Sequence, residues 1–276
     1  MNKRACGFTL IEMVMVITII SIIAAVVGRI LSVPVGAYAS SKNRANLTNA
    51  AESSISMMTR DLRRALPNSV RMPAGGDTNC LEMLTTNGGG RYRVYPLTDG
   101  TTGNPVDFST AITQFDVLAG DVTKASPGDL VAIYNLGTGT GADAYAGDNT
   151  AVINTVSGTF ITLNAAKQFP VESPGQRFFT LPATSTVYLC LNANAESGDG
   201  TGTLYQYSNA LGSTPASCPH AAPGNATVIA SNVSACAFSY AAGVGTRQGV
   251  AAMTLGLTKN NESVQLYREA HVDNVP

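Results

Sequence analysis

An apolar run near the N-terminus constrains this chain more than any other feature of its sequence. The run extends from residue 8 to residue 28. Its polar members are Thr9, Glu12, Thr18 and Ser21. A helix needs about 20 largely apolar residues to cross the hydrocarbon core of a bilayer. We therefore predict that residues 8–30 form a transmembrane helix.

Charge predicts how that helix is oriented. Lys3 and Arg4 precede the apolar run, and basic residues next to a transmembrane helix stay on the cytoplasmic side. The N-terminus is then cytoplasmic, and everything after Arg29 is periplasmic. This describes a single-pass protein embedded in inner-membrane lipid. Charged residues make up 13% of the chain and the net charge is −1, so we expect no nucleic acid partner.

Two residues at the start of the run are unusual for a secretory signal. The small residue Gly7 precedes the apolar run, whereas an ordinary signal is cleaved after it. Cleavage after Gly7 would remove residues 1–7 as a leader and keep the helix. Glu12 places a carboxylate in the apolar span, which costs about 2.5–3.5 kcal/mol on insertion scales. Cleavage would supply a partner, the new α-amino group of Phe8 in this chain or in its neighbour. A plain signal anchor is the alternative, and it leaves Glu12 unexplained.

The segment Gly7-Phe8-Thr9-Leu10-Ile11-Glu12 resembles the cleavage and methylation motif of type IV prepilins. The resemblance implies that a prepilin peptidase cuts between Gly7 and Phe8 and N-methylates Phe8. It also implies that Glu12, the fifth residue of the cleaved chain, registers each subunit against its neighbour. The partners it implies are the peptidase and other pilins or pseudopilins, which pack through the N-terminal helix in the core of a filament.

Residues 31–66 are predicted to continue the helix as an amphipathic segment. Pro67 fits the end of the helix, and Pro34 and Gly36 predict a kink or a short melted section. We expect the apolar stripe to pack on the chain's own sheet, while a groove for a partner helix is the alternative. The stripe is spaced by three and four residues and consists of Leu47, Ala51, Ile55, Met58, Leu62 and Ala65.

Beyond Pro67 the sequence changes to short β-prone runs separated by turn residues. We predict a β-rich globular domain over residues 67–276 and an α+β fold of the type IV pilin-like kind, with the long helix packed on a mostly antiparallel β domain. Lys259-Asn260-Asn261-Glu262 predicts a hairpin turn. The predicted strands are Cys80–Leu84, Arg91–Leu97, Ile112–Leu118, Asp129–Asn135, Ala151–Val156, Thr159–Leu163, Thr186–Leu191, Thr203–Tyr207, Gln248–Thr258 and Ser263–Val272.

A second resemblance is spread along the chain. The segments 60–70, 79–82 and 272–276 resemble MshO-type minor pilins of the mannose-sensitive haemagglutinin pilus. Those proteins are in turn similar to the J-type minor pseudopilins of type II secretion. The resemblance implies a low-copy subunit in initiation or at the tip of a filament. A secretion pseudopilin and a tip adhesin with a surface ligand remain as alternatives.

The cysteines predict disulfides. Cys6 would leave with the leader, so Cys80, Cys190, Cys218 and Cys236 remain, and the periplasm permits disulfide formation. We favour Cys80–Cys190 with Cys218–Cys236. Cys190–Cys218 with Cys80–Cys236 is the rival pairing, and four buried free thiols are the other alternative.

Nothing in the sequence predicts a catalytic site, a cofactor or a metal. His220 and His271 have no nucleophile in a recognisable motif. Cys218 and His220 could provide two metal ligands, but a disulfide beside a solvated histidine is the favoured interpretation. The glycine-rich segment 137–149 lacks a following helix that would bind a pyrophosphate. We interpret it as a flexible loop between strands, with calcium binding by Asp143 and Asp148 as an alternative.

Overall fold

The computed structural model describes residues 7–73, 77–97, 103–215, 217–243 and 248–275. The predicted leader, residues 1–7, lies outside the described residues apart from Gly7. The chain divides into two compact units, Met1–Asn46 and Leu47–Pro276. A long helix, α1, spans Leu10–Arg63 and precedes the β-strands. This arrangement confirms the predicted α+β fold.

The strands that follow α1 are mostly antiparallel and form a sheet and a barrel. In chain order they are β1 (Cys80–Met83), β2 (Gly88–Tyr92), β3 (Ile112–Asp121), β4 (Leu130–Ile133), β5 (Thr150–Val156), β6 (Phe160–Lys167), β7 (Arg177–Leu181), β8 (Thr184–Leu191), β9 (Ala195–Glu196), β10 (Asp199–Gly200), β11 (Gly202–Ala210), β12 (Thr227–Ala241), β13 (Gly249–Lys259) and β14 (Glu262–Val272).

The sheet carries the second half of α1. Its strand order is β1-β8-β11-β12-β13-β14, and each neighbouring pair is antiparallel. The predicted stripe on α1 is buried in one hydrophobic cluster with side chains of this sheet, such as Met253 and Leu255. This confirms that the stripe packs on the chain's own sheet. The apolar stripe of α1, spaced by three and four residues, therefore packs against the apolar face of β13, on which every second residue is apolar.

The predicted hairpin joins β13 to β14. Lys259 pairs with Glu262, and Asn260 and Asn261 between them have φ angles of 54° and 62°. Positive φ at both central residues defines the type I′ turn, whose twist matches that of the strands it connects. Asparagine tolerates this conformation better than most residues, which is why the sequence forms the turn here.

A closed barrel interrupts the sheet and was not predicted. Strands β2 to β7 lie between β1 and β8 in sequence, although β1 and β8 are neighbours in the sheet. They close in the order β2-β3-β6-β5-β4-β7. The barrel is therefore an insertion with a separate core, in which Phe115 packs edge-on to Phe178 with ring centroids 5.3 Å apart.

The segment after β4 is a packed connection and not the predicted flexible loop. Asn135 donates its amide to the carbonyl of Pro67 over 2.7 Å. The Tyr145 hydroxyl donates to the carbonyl of Ser69 over 2.8 Å. The guanidinium of Arg71 lies 3.3 Å above the Tyr145 ring, and burial raises the pKa of this tyrosine well above its usual value. Glycines supply the backbone turns, while these polar and aromatic contacts hold the segment in place.

Three further details differ from the prediction. Helix α1 runs through Pro34, so of the kink or short melted section predicted there, the melted section does not form. At the other end α1 stops at Arg63, and the Leu66 amide bonds to the Leu84 carbonyl instead.

Strand β2 begins at Gly88 rather than Arg91, because Gly90 lets the β3 backbone approach closely.

Candidate functional site

The N-terminal segment begins as a capped helix end. The exposed residues Gly7, Phe8 and Thr9 precede α1. The backbone amide of Glu12 donates to the Thr9 hydroxyl over 3.3 Å, so Thr9 is the N-cap and Glu12 occupies the third helical position. The Thr-x-x-Glu spacing is that of a capping box, and the bond from the Glu12 amide to the Thr9 hydroxyl is one of its two hydrogen bonds. The sequence carries a signal for this helix start, because Thr9 and Glu12 are three residues apart directly before the apolar run.

The first half of α1 exposes apolar side chains on all its faces. Phe8 is 75% exposed and Leu10 is 83% exposed, and the large apolar residues that follow are exposed as far as Ile30. A helix that is apolar all round is stable only in a membrane or inside a larger assembly. Within the described residues, α1 is the helix long and apolar enough to cross a membrane.

Two of the polar side chains in this span satisfy their own hydrogen bonds. The Thr18 hydroxyl lies 3.0 Å from the Val14 carbonyl, and the Ser21 hydroxyl lies 2.7 Å from the Ile17 carbonyl. Such bonds to the preceding turn let hydroxyl groups enter an apolar environment at low cost. Glu12 differs because its side chain is a charged carboxylate, and placing a charge in an apolar span costs more than placing a hydroxyl group there.

The structure forms two disulfides, and both predicted pairings are wrong. Cys80 bonds to Cys218 and Cys190 bonds to Cys236, with Cα–Cα distances of 5.8 and 6.3 Å. The reason is the alternation of side chains along a strand. Cys80 shares one face of the sheet with Leu189, to which it is paired. Cys190 follows Leu189 and therefore points to the helix-facing side.

The other two cysteines follow the same division. Cys218 packs against the cluster that contains Cys80, and Cys236 packs against the cluster that contains Cys190. Each rejected pairing would have joined opposite faces of the sheet. Sequence separation alone could not reveal this, since it does not report which face a cysteine occupies.

The histidines lie in unrelated places. His220 borders a cavity of about 900 Å³ that Cys190, Cys218 and Cys236 also line, and His271 is an exposed residue of β14. Because Cys218 is bonded to Cys80, it cannot provide a thiolate to a metal beside His220. Among the described residues, no group of three His, Cys, Asp or Glu side chains is placed to hold a metal ion.

The two carboxylates of the calcium alternative, Asp143 and Asp148, accept hydrogen bonds from the backbone of their own loop. Asp143 accepts a hydrogen bond from the Tyr145 amide over 2.9 Å, and Asp148 accepts one from the Asp143 amide over 3.3 Å. The Lys167 ammonium donates to the Gly147 carbonyl over 2.7 Å. Burial lowers the pKa of Lys167, and the charge of Asp148 opposes this change. We therefore interpret Asp143 and Asp148 as residues that stabilise the turns of this loop.

Comparison with known proteins gives one result, which falls on the N-terminal segment. Residues 2–28 match the family model described as a prokaryotic N-terminal methylation motif. No curated protein and no solved structure matches the chain. Type IV pilin-like proteins are structural subunits. The motif and the exposed apolar helix together point to membrane anchoring and pilus assembly, and they indicate a type IV pilin-like protein.

Proposed function

We propose that this chain is a minor pilin that takes part in initiating a type IV pilus of the mannose-sensitive haemagglutinin kind or in forming its tip. A prepilin peptidase cleaves between Gly7 and Phe8 and methylates the new terminus. The observation that carries the proposal is the order of Gly7, the exposed apolar helix and Glu12. A leader cut at Gly7 releases a helix whose apolar surface needs partners.

Glu12 is the contact that fixes the position of one subunit beside another. Its carboxylate is exposed on the first turn of α1, where the helix dipole favours negative charge. Cleavage at Gly7 creates a positive amine at Phe8. A neighbour's amine next to Glu12 would neutralise both charges in the apolar core of a filament. The pairing favours one axial position over others, because any shift leaves two unpaired charges in hydrocarbon.

The inserted barrel supports a low-copy role. A subunit in the shaft of a filament must repeat the same contacts at every position. Strands β2–β7 add a second core to the globular part, and a shaft would have to accommodate this volume in each copy. A subunit at the tip has no such restriction above it. A minor pseudopilin of type II secretion would follow the same argument.

We place the protein in the inner membrane before assembly. Lys3 and Arg4 hold the N-terminus in the cytoplasm, and the part after Arg29 lies in the periplasm. The two disulfides are compatible with this, because that compartment is oxidising. After extraction from the membrane, α1 would exchange lipid for the helices of other pilins.

The test is to compare Glu12→Ala with Glu52→Ala. Both substitutions remove one exposed carboxylate from α1, but Glu52 pairs with Arg268 of the same chain over 2.8 Å. We expect Glu12→Ala to insert into the membrane normally, since removing a charge favours insertion. We also expect it to be depleted several-fold from the sheared filament fraction. Glu52→Ala should be incorporated at the native level, because an exposed ion pair contributes only about 0–1 kcal/mol.

Quantitative immunoblotting of the filament and membrane fractions measures both effects. Native incorporation of the Glu12→Ala protein would contradict the proposed registration. Depletion of both variants would also contradict it, since it would show a general sensitivity of α1 to charge removal.

A further inference from the structure

A cavity on the outside of the barrel collects positive charge. Its volume is about 540 Å³, within the range of about 300–1,000 Å³ that is usual for small-ligand sites. No aspartate or glutamate lines it. Its cationic lining residues are Arg64, Arg91, Lys124 and Arg177.

Two of these arginines face each other directly across a pair of strands. Arg91 of β2 is in register with Arg177 of β7. Their chain neighbours Tyr92 and Phe178 are buried in the barrel core, so both arginines point outward on the same face. Like charges directly opposite in an antiparallel pair are destabilising. Neither guanidinium forms an ion pair with a carboxylate in the part of the chain that the structure describes.

The other two cations of the cavity, Arg64 and Lys124, differ in whether a carboxylate lies nearby. Arg64 is held at the rim by a bond from its guanidinium to the Thr86 carbonyl over 2.8 Å. Lys124 lies near Asp121, whose pKa is lowered first by hydrogen bonds from Thr123 and to a smaller extent by this lysine. The uncompensated charge is therefore concentrated on the three arginines.

The floor between the arginines is bare backbone. Gly89 occupies the outer face between β2 and β7, and a Cβ there would lie 2.7 Å from the Phe178 carbonyl oxygen. It would also lie 3.3 Å from the Phe179 ring. Only glycine fits this close approach. The result is a shallow apolar strip of glycine and phenylalanine beside a pair of guanidinium groups.

We infer that this cavity binds an anionic glycan, with Arg91 and Arg177 contacting its carboxylate or sulfate groups. The planar guanidinium forms paired hydrogen bonds with oxyanions, and the strip beside it suits the apolar face of a sugar ring. A single-stranded nucleic acid fits less well, because it needs aromatic platforms for its bases. In this cavity Phe178 is buried and Phe179 is half-buried.

The test uses the full chain in detergent and three tetrasaccharide probes in calorimetry. They are an oligogalacturonate, a sulfated heparin fragment and a neutral mannan fragment, and a single-stranded DNA hexamer is measured in parallel. We expect one or both charged glycans to bind and the neutral one not to bind. Arg91→Gln and Arg177→Gln should each weaken binding about tenfold or more. Lys259→Gln, an exposed cation of the β13–β14 turn, should leave it unchanged.

Thermal unfolding separates recognition from folding. Arg91→Gln removes the repulsion across the strands, so its melting temperature should equal or exceed that of the native protein. Arg64→Gln, at the end of α1, provides a second variant should substitutions in β2 or β7 unfold the barrel. Absence of binding by the native protein, tighter binding of the DNA hexamer, or glycan binding that survives all three substitutions would overturn the proposal.

Discussion

The two halves of helix α1 have opposite relations to the rest of the chain. From Phe8 to Ile30 apolar side chains are exposed on every face. From Leu47 to Leu62 they form a single stripe that is buried in the sheet cluster. The second half therefore contributes to the fold of the globular part. The described apolar side chains of the first half are exposed, and a helix that is apolar all round is stable in lipid or within a larger assembly.

The acidic residues in these two halves show the same contrast. Asp61 accepts hydrogen bonds from the Tyr188 hydroxyl over 2.7 Å and from the Gln206 amide over 3.1 Å. Burial, followed by the charge of Asp61, raises the pKa of Tyr188. Glu12 is exposed in an apolar span. Under the proposed function, the contact of Glu12 lies outside the subunit, whereas the contacts of Asp61 lie within it.

The largest expected difference comes from the same substitution made in each half. Ile55→Ala removes a fully buried side chain and should lower the free energy of unfolding by about 2–5 kcal/mol. Ile19→Ala alters an exposed side chain and should leave it unchanged. Chemical denaturation in a mild detergent, monitored by near-UV circular dichroism, measures both. Equal destabilisation would show that the first half also belongs to the folded core.

Removing the disulfide on the sheet face that packs against α1, Cys190–Cys236, tests how much this link stabilises the globular part. Cys190→Ala with Cys236→Ala opens a link between residues separated by 46 positions and should cost about 2–4 kcal/mol. Cys80→Ala with Cys218→Ala, separated by 138 positions, serves as the comparison on the opposite face. In the chain-entropy model the longer link contributes about 1 kcal/mol more. Unchanged denaturation midpoints in both double variants would contradict the structural role of these links.

Replacing Asp61 and Glu12 separately by alanine distinguishes a carboxylate that bonds within its own subunit from one that is proposed to bond to a neighbouring subunit. Asp61→Ala leaves the buried Tyr188 hydroxyl without its acceptor and removes one of the two acceptors of the Gln206 amide, which should cost about 1.5–3 kcal/mol. Glu12→Ala should not change the unfolding of the globular part. The same denaturation assay distinguishes them. A loss of stability in the Glu12 variant would mean that this carboxylate has a partner within its own subunit.

The smallest effect is expected at the helix cap. Thr9→Ala removes the acceptor of the Glu12 amide and should weaken the first turn by about 1 kcal/mol. Amide hydrogen exchange should accelerate at residues 11–13 and nowhere in the sheet. Thr18→Ala is the matched control, because its hydroxyl bonds within the helix interior. Unchanged exchange near Glu12 would show that Thr9 does not cap α1.

Regular local patterns allowed much of the fold to be predicted from the sequence. The stripe spaced by three and four residues identified the buried face of α1, and the two asparagines identified the β13–β14 turn. Strand β12 was missed because its alanine, serine and asparagine residues have little β preference. Strand β7 was missed because Pro174 and Pro182 flank its short apolar run.

The long-range features could not be predicted because local patterns do not encode them. The barrel depends on the pairing of β2 with β7, whose residues Gly88 and Thr180 are far apart in the chain. The disulfide pairing depends on which sheet face each cysteine occupies. At the N-terminus the situation is reversed, since the order of Gly7, Phe8 and Glu12 is informative without any tertiary contact.

The central claim is that the first half of α1 is prepared by proteolysis for assembly outside its own subunit. Intact-mass analysis of protein purified from a host with an active prepilin peptidase tests this directly. The predicted result is a chain that begins at Phe8 and carries one additional methyl group, with both disulfides formed. A chain that still begins at Met1 would contradict the claim.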